Sequence, residues 1–521
     1  CIYGVDIQQI AIQISKLRFF ISLIVDQKVN DSKPNRNILS MPNLETKFVA
    51  ANTLIGLDKP QQMTLMAGDV ERLEKELASI RHKIFFTRKY SAKKALKKKE
   101  KEKREELQTA LTQSGFSKNV AGQIAGWNPF DPMQSAKFFD PETMFGFDGG
   151  FDVVIGNPPY VSVKAIPDSY KKIYSKCYIA GEGRFNLFTL FIEKGYKLLN
   201  SCGSLTFIIP EGIYSNIEYR HIRKLLLEKT RINRICLFSN RVFDASVDTT
   251  VLSFTNKNEF NERIAIDKDI FKTTLSLSQK KISNYPFYLF PTKLNEVTST
   301  IVDKAILSSE FDRISNCLEI QQGIIYSGQE KEDVFSNKII NNTYKKCLDG
   351  RDVLKWYINW DKKQENKYIS FTDKLHRARE ERLYLANKKI LIPRRATSIY
   401  GTIDDSQFYV LNTAYICLAI NSQYRIEYLL ALLNSKYINF IYNQLFFGWQ
   451  ITIPALDILP VKKLSPKDQK PLINLVDKIL ITKKANPKAD TSSLEKQIDE
   501  MVYKLYDLTE EEIKIIEGGI K

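Results

Sequence analysis

The chain has 521 residues, enough for about two to four domains of ordinary size, each able to bury a core. Hydrophobic residues make up 43% and charged residues 26%, which excludes a largely disordered, collagen-like or small stapled chain. Lys and Arg outnumber Asp and Glu by 77 to 60, a formal net charge of +17, so a polyanion, nucleic acid above all, is the leading class of partner.

Residues 1–6 (CIYGVD) read as an apolar strand stopping at an acidic residue, and a helix-period stretch follows with Ile10, Ile14, Leu17, Ile21 and Ile24 on one face. Because the chain opens at Cys1 inside this strand, a longer protein is expected to have lost its N-terminal part. A second short strand is expected over 47–51. Residues 68–115 change character: Leu73, Leu77, Ile80 and Ile84 form a helical stripe, and 93–104 hold eight basic residues in twelve, which together predict an inserted helical hairpin. A solvated helix face is the favoured reading of the lysines, ahead of DNA contact.

Residues 151–156 (FDVVIG) form a compact apolar strand that ends in Asn157-Pro158-Pro159-Tyr160, where neither proline can donate to a sheet ladder. A helix over 185–199, strands at 203–210 and 235–238, a helix over 219–228 between them and a strand at 251–254 continue the alternation. That pattern predicts a doubly wound α/β sheet with ligands at the strands' C-terminal edge. From about 294 the texture shifts to short mixed segments, a second domain, with an aromatic-rich helix over 429–446. The tail has two helical stretches with expected caps at Ser492 with Glu495 and Thr509 with Glu512.

Seven cysteines, never in a C-x-x-C pair, support neither a disulfide framework nor a zinc site and indicate a reducing compartment. No metal site is expected, because the three histidines stand apart from other ligand types. The longest apolar run, at about 19–25, is far shorter than the roughly 20 residues of a membrane helix, so no membrane association is expected.

The loop after 151–156 is the segment that carries chemistry. An exocyclic amine is a poor nucleophile because its lone pair is delocalised into the ring. Two acceptors, Asn157 Oδ1 and the Pro158 carbonyl, can draw it toward tetrahedral geometry, and the prolines keep both aimed. Tyr160 offers a flat face to a base, whose target atom is reachable only after flipping from the duplex.

With these residues the chain resembles the N6-adenine DNA methyltransferases, whose signature is (Asp/Asn/Ser)-Pro-Pro-(Tyr/Phe/Trp), and more narrowly the methylase-specificity chains of type IIG restriction-modification enzymes. The narrower resemblance rests on Trp127-Asn128-Pro129-Phe130-Asp131 and on Phe138-Phe139-Asp140-Pro141-Glu142-Thr143-Met144-Phe145-Gly146. It implies an α/β fold, a Rossmann-like methyltransferase sheet incomplete at its N-terminus, with a helical insertion over about 68–118. A mixed α+β target-recognition domain accompanies it. The implied domains are 1–293 (catalytic), 294–460 (DNA specificity, TaqI-type) and 461–521 (helical tail). The implied activity is methyl transfer from S-adenosylmethionine to a flipped adenine in double-stranded DNA, in a prokaryotic cytoplasm.

Residue by residue, the resemblance assigns Asn157, Pro158, Pro159 and Tyr160 to catalysis and Tyr160 and Phe243 to base stacking. Asp6 with Ile7 is assigned to the cofactor ribose and Asn52, at a usually acidic position, to the cofactor adenine. Asp6 is also the right residue for a helix N-cap. The family's F-x-G-x-G loop and its nuclease domain have no counterpart here, and Gly181-Glu182-Gly183, past the catalytic loop, is no substitute. The chain alone is therefore expected to be inactive or weakened. In the C-terminal half the looser match rests on Leu348-Asp349-Gly350-Arg351-Asp352, Ile392-Pro393-Arg394-Arg395 and the helix before Leu459-Pro460. Arg394 and Arg395 are assigned to DNA, with phosphate contact the commoner use of arginine, and Trp449 is expected in the core. The alternatives are an amino-group methyltransferase acting on RNA or protein glutamine, and a decayed DNA-binding specificity fragment.

Overall fold

The computed structural model describes residues 2–38, 42–58, 67–147, 149–238, 248–257, 259–269, 273–327, 334–361, 365–372, 375–446 and 449–518. The protein is mixed α/β with several sheets and divides into two compact units, Cys1–Phe207 with Thr255–Lys257 and Ile208–Phe254 with Asn258–Lys521.

In the first unit β1 (Gly4–Asp6) and β2 (Phe48–Ala50) pair in parallel, Asp6 opposite Ala50. Gly4 is needed there, since a Cβ would lie 2.6 Å from the Phe48 ring. The helix between them, α1 (Gln9–Val25), is anchored through Ile12, which clusters with Leu44 and Phe48. The stripe Ile10, Ile14, Leu17, Ile21 and Ile24 is 44–64% exposed. The periodicity marks a real face, and the opposite face is the one that packs.

The expected hairpin is present as α2 (Ala67–Phe86) and α3 (Tyr90–Gln113). Leu73, Leu77, Ile80 and Ile84 are at most 6% exposed. A buried ion triad crosses the hairpin: Glu100 accepts from Arg81 at 2.8 and 3.0 Å and from Arg104 at 2.9 Å. Arg81 also donates to the Thr143 carbonyl at 2.6 Å, and Arg104 to the Ala125 and Trp127 carbonyls at 2.7 and 2.9 Å. In the lysine run, Lys93 and Lys97 lean on Glu45 while Lys98 and Lys101 pair along the helix with Glu102 and Glu105, the behaviour of a solvated face.

After α4 (Lys118–Gly126) comes α5 (Pro141–Phe145), whose limits the sequence sets. Asp140 accepts from the Thr143 amide at 3.0 Å, and Pro141 occupies the first position, where a missing N–H costs nothing. Gly146 closes the helix at φ +66°, and a Cβ on it would lie 2.7 Å from the Ala78 Cβ. Phe138 and Phe139 are buried beside it, so this motif works as a packing unit.

The strand β3 (Phe151–Gly156) is followed by α6 (Asp168–Cys177), α7 (Leu187–Leu198) and β4 (Leu199–Pro210). β3 and β4 are parallel, Val153 opposite Ser204 and Gly156 opposite Phe207. Despite its apolar composition β3 leaves Val153 and Ile155 at 64% and 76% exposure. α8 (Arg220–Lys229), β5 (Arg231–Leu237), β6 (Thr249–Thr255), β7 (Ile264–Lys268) and β8 (Thr273–Leu277) follow, and the six-stranded sheet has the order β3-β4-β6-β5-β7-β8.

In the second unit Leu318–Gln322, Ala414–Ala419, Lys389–Pro393 and Thr402–Asp404 form an antiparallel sheet in that order. The helix expected over 429–446 is two, Ile426–Asn434 and Lys436–Leu445, because Ser435 turns to accept from the Ile438 amide at 3.3 Å. The tail contains a further helix, Lys470–Ala485, ahead of Ser492–Leu505 and Glu510–Gly518. Thr509 and Glu512 cap reciprocally as expected, at 2.8 and 3.2 Å. At the preceding helix the expected Ser492 cap is not formed: Thr491 holds the N-cap position without a side-chain cap to the backbone, and its hydroxyl donates instead to the Glu495 carboxylate at 2.9 Å.

Candidate active site

Residues 157–160 leave β3 at its C-terminal end as irregular backbone, as two prolines require. Pro158 is buried, Tyr160 half-buried, Asn157 and Pro159 exposed. The far side of the loop is fastened to 185–187: Leu187 donates to the Val161 carbonyl at 2.9 Å and Val163 to the Phe185 carbonyl at 3.0 Å. The Tyr160 ring meets Phe188 edge to face with centroids 6.3 Å apart, and burial pushes its phenol up. Among the described residues nothing hydrogen-bonds the Asn157 carboxamide, and no donor takes the Pro158 carbonyl. The stiffest part of the loop thus presents two adjacent, unengaged acceptors.

Asp6 is exposed at the end of β1, its Oδ1 accepting from the Gln8 amide at 2.7 Å. That turn leads into α1 and is the local role of the carboxylate; its other oxygen has no partner among the described residues. Ile7 is 58% exposed, and its carbonyl accepts from Ser135 at 3.2 Å. Asn52, just past β2, is held firmly. Its amide donates to the Ala136 carbonyl at 2.9 Å and its Oδ1 accepts from the Leu54 amide at 3.2 Å.

The strands that lead to these pieces touch at their beginnings. Tyr3, ahead of β1, and Phe151, the first residue of β3, meet in one aromatic cluster with centroids 5.9 Å apart, so the two strands start together. Further along, the residue that ends α6 reaches the loop after β2: Tyr178 donates to the Leu54 carbonyl at 2.7 Å, and burial pushes both Tyr174 and Tyr178 up. These two tyrosines were not singled out from the sequence, although their i, i+4 spacing with Tyr170 was visible. Buried Glu193, which accepts from the Ile179 and Ala180 amides at 3.2 and 2.9 Å, was missed as well. So was the Arg81–Glu100–Arg104 triad, which grips the Trp127 carbonyl at the head of the W-N-P-F-D motif. Phe243 lies outside the described residues. Among the described residues no three His, Cys, Asp or Glu gather as a metal site, and no helix is long and apolar enough to cross a membrane.

In the second unit the paired arginines part company. With the Gln450 amide oxygen turned toward it, Arg394 donates to that side chain at 2.8 and 3.1 Å. Arg395 is exposed, its guanidinium carbon 5.3 Å from the Trp449 ring centroid. Trp449, expected in the core, is 61% exposed. The backbone bridge between Arg395 and Gln450 holds its neighbour at the surface, and the covering hydrophobics are taken by Phe446 and Ile451.

Residues 1–243 match the Eco57I restriction-modification methylase family, and residues 345–461 the TaqI-like C-terminal specificity domain. A Methanocaldococcus jannaschii protein named as a type II restriction enzyme and methyltransferase is 26% identical over 97% of this chain and 48% of its own length. An Escherichia coli protein, the type II restriction enzyme and methyltransferase RM.Eco57I, is 24% identical over 42% of this chain and 21% of its own length. The chain therefore spans about half, or less, of these relatives. The DNA complex of the type IIL restriction-modification enzyme MmeI is similar at a TM-score of 0.43 and 13% identity, covering 75% of this chain and 60% of that one. The chain thus carries an Eco57I-type restriction-modification methylase domain followed by a TaqI-like C-terminal specificity domain.

Proposed function

We propose that the chain performs methyl transfer and target recognition in a site-specific DNA adenine-N6 methyltransferase of a restriction-modification system, with S-adenosylmethionine as donor. The carrying observation is the pair of unengaged acceptors, Asn157 Oδ1 and the Pro158 carbonyl, on a loop stiffened by two prolines at the end of β3. The amine of a flipped adenine has two N–H donors for them, and accepting both draws the nitrogen lone pair out of ring conjugation. Tyr160, braced by Phe188, stacks on the base, with Phe243 on its other face.

The residues present fit the donor. A carboxylate with one free oxygen at the end of β1 suits a ribose diol, and the amide of Asn52, whose oxygen the Leu54 amide holds, suits an adenine edge. Bound there, S-adenosylmethionine supplies a methyl group carried on positively charged sulfur. The functional division follows the sequence: 1–293 for transfer, 294–460 for reading double-stranded DNA with Arg394 and Arg395 at its surface, and 461–521 as a helical support. The specificity-domain match over 345–461 favours DNA over an RNA or protein-glutamine substrate.

In the intact protein Asn157→Ala is expected to lower methylation at least about 100-fold, the cost of losing one preorganised polar contact in a transition state, while duplex binding is retained. Radiolabelled methyl transfer followed by nucleoside chromatography is the measurement. Full activity in the variant, or a product other than N6-methyladenine, overturns the reading.

A further inference from the structure

Three arginine-bearing segments of the second unit converge on the loop 411–414. Arg394 donates its amide to the Thr413 carbonyl at 2.8 Å, and Gly350, beside Arg351, donates to the Thr413 hydroxyl at 2.8 Å. Gln322, whose carbonyl accepts from Arg379 at 3.1 Å, donates to the Asn412 carbonyl at 3.0 Å. The guanidinium groups of these segments are not equivalent. Arg394 is engaged by Gln450, Arg379 by the Gln322 carbonyl, and Arg351 leans on Asp349 at 3.3 Å. Among the described residues the Arg395 guanidinium has only the ring of Trp449.

Trp449 is unusual among the four tryptophans. Trp127 and Trp356 are 3% and 2% exposed and Trp360 is half-buried, whereas Trp449 is 61% exposed. It is not on a loose strand of chain: Arg395 bridges Gln450, and the Ile451 amide donates to the Arg394 carbonyl at 2.9 Å. An exposed indole on a fixed backbone with a guanidinium on its face has the composition of an interface anchor. A guanidinium held over a ring by its charge still has N–H groups to offer a phosphate.

We propose that Arg395 and Trp449 form one duplex-facing contact in which the guanidinium takes a backbone phosphate while the indole packs against the adjoining deoxyribose. Arg394, through Gln450, is the positioning residue that holds the pair in place. This rests on the DNA reading above and narrows the pair Arg394 and Arg395 to a division of labour.

The test uses the tryptophan emission of the chain and a fluorescently labelled duplex. Acrylamide quenching reports chiefly the exposed Trp449, so saturating duplex is expected to lower the quenching constant of the wild type and to leave that of Trp449→Phe unchanged. Arg395→Ala is expected to weaken cognate and scrambled duplexes alike and to lower the slope of log K against log salt by about 0.9, the value for one phosphate contact. Arg395→Lys keeps the slope. Trp449→Ala weakens binding about tenfold, the equivalent of about 1.4 kcal/mol. Both side chains are exposed, so unchanged melting temperatures check that the variants fold. Duplex binding with no shielding of Trp449 and an unaltered slope in Arg395→Ala overturns the proposal and leaves the DNA reading standing. A wild-type chain that binds no duplex overturns both.

Discussion

Ile10, Ile14, Leu17 and Ile21 of α1 repeat at helical spacing as regularly as Leu73, Leu77, Ile80 and Ile84 of α2, yet the first four are at least 50% exposed and the second four at most 6%. The difference lies in what each helix meets. α2 is matched by α3 along its length and locked by the buried triad around Glu100, while α1 rests on β2 and its approaches through Ile12 and the half-buried Phe19 and Phe20. Periodicity says which residues share a face; it does not say whether anything covers that face.

The comparison can be broken most forcefully at Glu100. Glu100→Gln leaves two buried guanidinium groups without their counter-charge and is expected to cost about 3–5 kcal/mol. The fall appears as a lower urea midpoint followed by circular dichroism. Replacing Arg81, Glu100 and Arg104 together by Met should recover much of it, because no unpaired charge then remains. A Glu100→Gln protein as stable as the wild type would mean that α2 and α3 are held by their apolar faces alone. A second pair of variants reads the stripes directly. Ile84→Ala is expected to cost about 2–5 kcal/mol, and Ile14→Ala no more than about 0.5 kcal/mol. Equal losses would show that the α1 stripe is covered.

The same limit explains what was legible in the sequence. The strand ending at Gly156 and the irregular loop 157–160 follow from residue type, since two prolines leave a ladder whatever surrounds them. The ends of α5 were equally local, set by Asp140, Pro141 and Gly146. What was hidden depends on partners far away in the chain. Arg394 and Arg395 are chemically identical neighbours, and only the approach of Gln450 and Trp449 from some fifty residues later separates the positioning residue from the exposed one. Tyr178 gains its role only because the Leu54 carbonyl of the loop after β2 comes within its reach. Trp449 was misjudged for the same reason: a large aromatic is usually buried, and nothing in its own neighbourhood says otherwise.

The smallest expected effect sharpens the comparison from the packed side of α1. Lys16 is half-buried there, near Glu45 and Lys97, and its ammonium is held below the ordinary 10.5 chiefly by burial, with Lys97 adding to the shift and Glu45 opposing it. A lysine whose folded-state pKa is lowered binds fewer protons in the folded than in the unfolded chain between that pKa and 10.5. Stability then rises with pH across this window, and the penalty is fully present below it. Lys16→Met removes the penalty and keeps the apolar stem. The variant is expected to melt slightly higher than the wild type at neutral pH, with the gap closing as the pH approaches 10.5. Differential scanning calorimetry of both proteins across that range is the measurement. A gap that widens with pH, or a variant that melts lower at neutral pH, would mean that the attraction of Glu45 outweighs burial and that α1 is held down by its charge as well as by Ile12.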